Sequence, residues 1–406
     1  MKKNILNVTV VVALACPVMV QALSVEASVS AGLGYDSNAY HSPGSPYTDY
    51  SVDTDPSPAV VNNPTITPVE QSGFFIPLAI NASLNQSLSK GWMMKGAYDF
   101  DGSKYIDSKL DNADMYDHLL RLGGQYTLTN TNLRSSHIYA GLRMQDHQQT
   151  YADRDNGAEK TTSGTAANIS DLYSYSATGL ELGYDYKNKE NWDVELTYRQ
   201  EGRDYTNPPS PAISQDHDYT KLAATLGIEL SANLRAEFDA ATASRDYDFR
   251  HAHIADGTFS NVLLTYDYTD LGVTLKQDVG KSLKMSYGYA MTQRTDNNVG
   301  YNDYDLTEFT LGARYDFRYW LSLKGKLTAW QQDYPNAWNF DCAPTDCPAL
   351  TEHRSADGTT LSVKVNVERA KTQDWWAEME IKSNNNTDKR YAYDRNMLMA
   401  GVTWKF

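Results

Sequence analysis

From about residue 24 to the final residue, apolar and polar positions alternate with a period of two. The last sixteen residues show it well. Leu398, Ala400, Val402, Trp404 and Phe406 fall on one face, and Arg395, Met397, Met399, Gly401, Thr403 and Lys405 on the other. Successive strand side chains point to opposite sides of a sheet, so this is an apolar face backed by a mostly small or polar one. Leu361, Val363, Val365 and Val367 alternate in the same way with Ser362, Lys364, Asn366 and Glu368. So do Leu283, Met285, Tyr287, Tyr289 and Met291 with Lys284, Ser286, Gly288, Ala290 and Thr292. Trp192, Val194, Leu196 and Tyr198 alternate with Asp193, Glu195, Thr197 and Arg199. Helical spacing fits none of these segments.

The alternation predicts strands near 24–38, 72–88, 91–105, 115–130, 134–151, 170–187, 191–206, 217–232, 233–249, 257–278, 281–297, 301–318, 320–335, 357–372, 373–388 and 391–406. They are much longer than strands of soluble sheets, which average five or six residues. Short turns such as Ser89-Lys90-Gly91, Asn188-Lys189-Glu190-Asn191, Ala232-Asn233 and Gly280-Lys281 alternate with polar loops near 39–71, 152–169, 207–217 and 336–356. One rim of tight turns and one of long loops predicts an all-β, antiparallel, up-and-down transmembrane barrel of about sixteen strands, its turns facing the periplasm. In lipid every backbone polar group must be paired within the protein, which forces closure. The apolar phase of 257–278 switches between Tyr268 and Leu271, which suggests a β-bulge there. Trp92, Trp192, Trp320, Trp375, Trp404 and many tyrosines lie near strand ends, as interfacial girdles do. Stacking of a ligand is the weaker account of them.

Composition narrows the picture. The chain of 406 residues holds 29 tyrosines, 8 tryptophans and 10 phenylalanines, too many aromatics for a disordered segment. A formal charge of −15 speaks against a nucleic-acid partner, because phosphate binding needs a basic surface. Lys2 and Lys3, an apolar run from Ile5 to Val20 interrupted by Asn7, Thr9 and Pro17, and the small-residue site Val20-Gln21-Ala22 read as a signal peptide over 1–22. A membrane anchor would need a longer apolar run. Lipidation at Cys16 is disfavoured because the apolar run continues past it. The barrel then occupies 23–406, and the address implies export to the outer membrane of a Gram-negative cell. Cys342 and Cys347, the two cysteines left after cleavage, most simply form a short-loop disulfide, since His353 alone is near enough to help them hold a metal.

A sixteen-strand barrel is wide enough for water. The inward set carries both signs of charge. Lys95, Arg121, Arg143, Arg199, Arg235, Lys284, Arg294, Arg314, Lys324, Lys326, Lys364 and Arg395 supply cations. Asp99, Asp101, Glu181, Asp185, Asp193, Glu195, Glu229, Glu237, Asp239, Glu308, Glu378 and Glu380 supply anions. These residues either brace the wall by pairing or set up a transverse field that guides a polar solute. The loop over 39–71 holds Pro43, Pro46, Pro56, Pro58, Pro64 and Pro68, so it reads as neither strand nor helix and serves either as a constriction or as an external flap. Catalysis has little support: there is no Gly-x-Ser-x-Gly elbow, and the histidines sit mostly at strand ends or in loops. His251-x-His253 reads as solvated loop, and Asp36-Ser37-Asn38 offers only a weak case for calcium. No enzyme, cofactor or resident metal is expected.

Phe406 preceded by Trp404 resembles the C-terminal signal that the barrel-insertion machinery reads in bacterial outer-membrane proteins. Gly32-Leu33-Gly34-Tyr35-Asp36-Ser37-Asn38-Ala39-Tyr40 resembles the opening strand of the beta-barrel porin-2 type, and Tyr391-Ala392-Tyr393-Asp394-Arg395-Asn396 through Trp404-Lys405-Phe406 is similar to its closing strand. That closing strand also resembles the barrel of surface-lipoprotein assembly modulators, although the chain reads as a barrel without their helical-repeat region. The porin-2 resemblance implies an association with exopolysaccharide export partners. The expectation is a porin-like channel, embedded in outer-membrane lipid, that passes polar solutes or an extracellular polysaccharide. The alternative is a non-conducting structural or assembly barrel for surface proteins.

Overall fold

The computed structural model describes residues 23–49, 64–160, 169–188, 190–206, 214–255, 257–338 and 352–406. The expected signal peptide over 1–22 and the expected Cys342–Cys347 disulfide lie outside the described residues, as does 50–63 of the proline-rich loop.

Sixteen antiparallel strands close into one barrel. In chain order they begin with β1 (Leu23–Asp36), β4 (Gly73–Ser89), β5 (Trp92–Tyr105), β6 (Met115–Asn130) and β7 (Arg134–Gln149). β8 (Tyr175–Asn188), β9 (Trp192–Tyr205), β10 (His217–Ser231), β11 (Leu234–His253), β12 (Phe259–Val279) and β13 (Leu283–Asp296) follow. The wall ends with β14 (Tyr304–Arg318), β15 (Leu321–Trp338), β16 (His353–Ala370), β17 (Gln373–Asn386) and β18 (Tyr393–Lys405). Each strand pairs with its neighbours in sequence, and β1 closes the ring on β18, from Ser28 opposite Lys405 to Asp36 opposite Met397. Phe406 adds a last rung, its backbone exchanging hydrogen bonds with Ala27. No strand edge is left open, as a lipid setting requires.

Tight turns make one rim, among them the turn at Gly91, whose φ of 85° suits a residue without Cβ. The long connections and, among the described residues, the short 3-10 turns Ser108–Ala113 and Lys389–Tyr391 make the other rim. The wall's outer surface is apolar and open: Leu33, Phe74, Leu180, Leu271 and Leu398 are 52–61% exposed. Burying such side chains against acyl chains is what stabilises a spanning barrel. Trp92, Trp192, Trp320, Trp375 and Trp404 sit on this outer surface at the tight-turn end, 37–50% exposed.

Five expectations need correction. Pairing of β12 with β11 and β13 runs without interruption through Tyr268–Leu271, so there is no bulge there. The apparent phase switch has another cause: Tyr266 and Tyr268 share the inward parity of Thr274 and Lys276, so these aromatics face the lumen. The irregularities lie farther out, between Asp246 and His253 of β11. The tyrosines are therefore not all girdle residues. His251 and His253 belong to the end of β11, and His253 stacks on Phe259 and Tyr301 instead of sitting in solvated loop. The proline-rich loop is not devoid of strand, since β2 (Tyr47–Thr48) and β3 (Thr65–Ile66) pair within it. Strand ends also shift by a few residues; 170–174 is turn before β8, and the wall extends to Trp338 and restarts at His353.

Candidate functional site

Directly opposite residues in an antiparallel pair share a face, so the register identifies the inward side of every strand. Lys95, Asp99, Arg121, Arg143, Glu195, Arg199, Arg235 and Glu237 lie on the same face as Asp36, the face opposite the exposed leucines. Lys284, Glu308, Arg314, Lys324, Lys364, Glu380 and Arg395 continue it around the second half of the wall.

These charges form distinct groups. Toward the tight-turn rim, Arg235 binds Asp193, Glu229 and Glu237 at 2.7, 2.9 and 3.0 Å, and Lys276 binds Glu237 at 2.5 Å. Beside them Lys284 lies opposite Arg314, Arg314 opposite Lys324, and Lys324 opposite Lys364. Lys364 reaches Glu378 at 3.0 Å and Arg314 reaches Asp316 at 2.8 Å. Among the described residues Lys324 and its same-face neighbour Lys326 have no ion-pair or hydrogen-bond partner, and both are exposed to the lumen. Across the bore Asp185 of β8 lies opposite Glu195 of β9, both exposed.

At mid-height the wall of β10–β14 is lined by small residues. Ala223, Ala241, Gly272, Gly288 and Ala290 border a hollow of about 390 Å³, with Lys221, Asp239, Asp270 and Glu308 at its edges.

Nearer the long loops, arginines stack on tyrosines. Arg294 lies 4.2 and 4.3 Å from the ring centres of Tyr266 and Tyr304, Arg354 lies 4.0 Å from Tyr334, and Arg203 lies 5.2 Å from Tyr175. Guanidinium planes suit this stacking better than ammonium groups do. Glu201 is fully buried and accepts from Arg143 at 3.1 Å, Arg199 at 3.0 Å and Arg203 at 2.8 Å. Asp36, also fully buried, is held by Arg395 at 2.6 Å and by the Tyr105 hydroxyl at 2.5 Å, so its carboxylate is spoken for by the wall and is not an ion ligand. Among the described residues no group of three His, Cys, Asp or Glu side chains could hold a metal.

The described parts of the proline-rich loop lock onto neighbouring loops. Tyr40 donates to Lys109 O at 3.0 Å, Tyr47 donates to Asp155 at 2.9 Å, and Val69 N–H donates to Asp155 O at 2.8 Å. Gly157, at φ 74°, lies against the Tyr40 ring where a Cβ would collide. Burial pushes the Tyr40 hydroxyl up to about 12, with the carboxylates of Asp114 and Asp111 adding to the shift. His41 has a φ of 55°, accepts at Nε2 from Arg395 at 3.0 Å, and packs its ring against Tyr393. Burial, with the cations of Arg395 and Arg154 adding to the shift, lowers its pKa to about 3.

The sequence reading missed Glu201, Arg203, Arg245, Arg354 and the inward tyrosines. Parity alone marks Glu201 and Arg203, which continue the Asp193, Glu195, Arg199 series. The stacking needed the register.

No protein-family model and no curated protein matches the chain. Among solved structures, it is similar to the outer-membrane-expressed OmpT of Vibrio cholerae at 12% identity, covering 95% of this chain and 97% of that one with a TM-score of 0.48. OccAB1 of Acinetobacter baumannii is similar at 11% identity over 94% and 96%, TM-score 0.48. The anion-selective porin from Comamonas acidovorans is similar at 11% over 95% and 99%, TM-score 0.45. Values this low leave the reading of this chain to its own wall and loops.

Proposed function

We propose that the protein is a porin-like channel of the Gram-negative outer membrane, delivered there by its 1–22 signal peptide and inserted with the Trp404–Phe406 ending read by the barrel-insertion machinery. The observation that carries this is the closed sixteen-strand wall whose inward face holds exposed charges of both signs, since a wall of that many strands encloses a lumen wide enough for water. The unpartnered Lys324 and Lys326 on one side and the Asp185–Glu195 pair on another support a field across the lower lumen. Solutes would move by diffusion, oriented by that field, with access through the loop rim. Polar solutes, an extracellular polysaccharide among them, fit such a bore. Purified protein in planar bilayers should conduct ions, and conductance should rise when residues 43–68 are deleted.

The interlocked loops favour a second reading, a closed-mouthed structural or assembly barrel for surface proteins. Absence of conductance both before and after the deletion would select that reading and reject the channel.

A further inference from the structure

The row of cations at the tight-turn end has no structural need to exist. Like charges placed directly opposite one another on adjacent strands repel and weaken the pairing they sit on. Yet Lys284, Arg314, Lys324 and Lys364 occupy four consecutive directly opposed positions across β13, β14, β15 and β16. Lys326, two residues from Lys324 on the same face, thickens the row. Their counter-charges are unevenly supplied. The end members have Asp278 at 3.9 Å and Glu378 at 3.0 Å, and Arg314 has Asp316. The central pair, Lys324 and Lys326, has none among the described residues. On the same wall Arg235 alone has three carboxylates.

We propose that this row is a binding track for an extended polyanion entering or leaving at the tight-turn mouth. The proposal rests on the channel reading and deepens it by naming a substrate class. Three points fix the chemistry. The track is made of exposed, mostly lysine side chains, whose hydrated ammonium groups attract anions without a rigid geometry and so favour passage over tight capture. Strands about 4.8 Å apart spread four cations over about 14 Å, which a compact anion such as phosphate cannot span but a linear chain with repeated carboxylates or phosphates can. Finally, the exposed Asp185 and Glu195 across the bore repel the same polyanion and hold it against the basic side. A neutral oligosaccharide has nothing to gain from the row.

The test uses the full-length protein in planar bilayers, one channel at a time, with the α-1,4-linked hexamer of galacturonic acid as the probe, maltohexaose as its neutral counterpart, and inorganic phosphate as the compact anion. The acidic hexamer should interrupt the current, more strongly from one chamber than from the other because the row lies at one mouth, and higher salt should relieve it. Lys324→Gln with Lys326→Gln removes two cations without orphaning a carboxylate. At about a factor of three each, typical of exposed charge pairs, the double variant should bind the hexamer about tenfold more weakly, with its resistance to unfolding in unheated gel samples retained. Asp185→Asn with Glu195→Gln lifts the repulsion from the far wall and should strengthen the block; a weaker block would count against the proposal. Equal interruption by maltohexaose, or block by the acidic hexamer that is unchanged in the Lys324→Gln/Lys326→Gln variant, would overturn the proposal while leaving the channel standing. No conductance at all would instead remove the channel reading on which it rests.

Discussion

The two ends of the barrel wall treat buried and inward-facing charge in opposite ways. Toward the loop rim most of the cations are arginines, Arg199, Arg203, Arg245, Arg294, Arg354 and Arg395, stacked on tyrosines or locked to buried carboxylates. Toward the turn rim most are lysines, Lys276, Lys284, Lys324, Lys326 and Lys364, standing in the lumen with single partners or none. The difference follows from the loops. Where the described loops and stacked rings crowd the wall, as at the buried Glu201 and Asp36, water is excluded, and a cation there needs a planar partner or a carboxylate to replace hydration. Where only tight turns close the strands, water reaches the wall and an ammonium group can remain hydrated. The outer end is thus a brace and the inner end a charged surface open to solutes.

The sharpest way to break that comparison is to remove one carboxylate at each end. Glu201→Ala leaves Arg143, Arg199 and Arg203 with their shared buried counter-charge gone, and removing one partner of a buried pair costs about 3–5 kcal/mol. Glu378→Ala, at the half-exposed Lys364 pair, should cost about 1 kcal/mol or less. Urea unfolding of detergent-folded protein, read by electrophoretic mobility, measures both. Equal losses would mean that the two ends are equally wet.

A second contrast runs through the wall instead of along it. Val365 is 38% exposed on the outer surface and lies opposite Leu323 and Ala377. Val365→Arg puts a cation into the lipid at mid-strand and should cost about 2–4 kcal/mol and impair insertion. The check is the fraction of protein that becomes resistant to unfolding in unheated gel samples.

How much of this was legible in the chain depends on the distance over which each feature is encoded. Period-two alternation is local, so Leu398 through Phe406 revealed their strand and their faces without help from any other segment. The same parity placed Lys324, Lys364 and Arg395 on one face. Tyr266 and Tyr268 misled the reading because hydrophobicity ranks tyrosine with the lipid-facing set, whereas a tyrosine beside an inward arginine is a stacking partner. Asp36 offered even a weak case for calcium because its partner, Arg395, is 359 positions away in sequence and meets it only when the first and last strands close. Glu201 lay in an inward series that parity identified, yet its burial depends on three arginines from two strands. Contacts across the seam and between loops are decided by closure, and alternation carries no information about them.

Acid should separate the two ends as well, by a smaller margin. His41 is buried beside Arg395 and Arg154, and its pKa is lowered to about 3 from an ordinary 6.5. Between those values the unfolded loop binds a proton that the folded one refuses, so the contribution of this site is fully present above pH 6.5 and declines as the pH falls. From pH 7 to pH 5.5 the loss is about 1 kcal/mol. The protection factors of the 37–49 backbone, with the intrinsic pH dependence of amide exchange divided out, should fall as the pH is lowered over that range, and His41→Gln should flatten the dependence. The turns around Gly91 and Gly280, with no buried histidine near them, should exchange at a rate that follows the intrinsic chemistry alone.

The smallest effect on stability should bring the largest effect on transport. Lys364→Glu lies one residue from Val365 but faces the lumen, where water solvates the new carboxylate. It replaces an attraction to Glu378 with a repulsion between two half-exposed anions, so folding should change by about 1 kcal/mol or less. The charge at that rung changes by two units, next to Lys324. In bilayers under a salt gradient, the reversal potential of the variant should therefore move toward cation preference, while its resistance to unfolding in unheated samples stays near that of the parent. If Lys364→Glu unfolded as readily as Val365→Arg, the two residues would share an environment, and the division of the wall into a lipid face and a water face at this strand would be wrong.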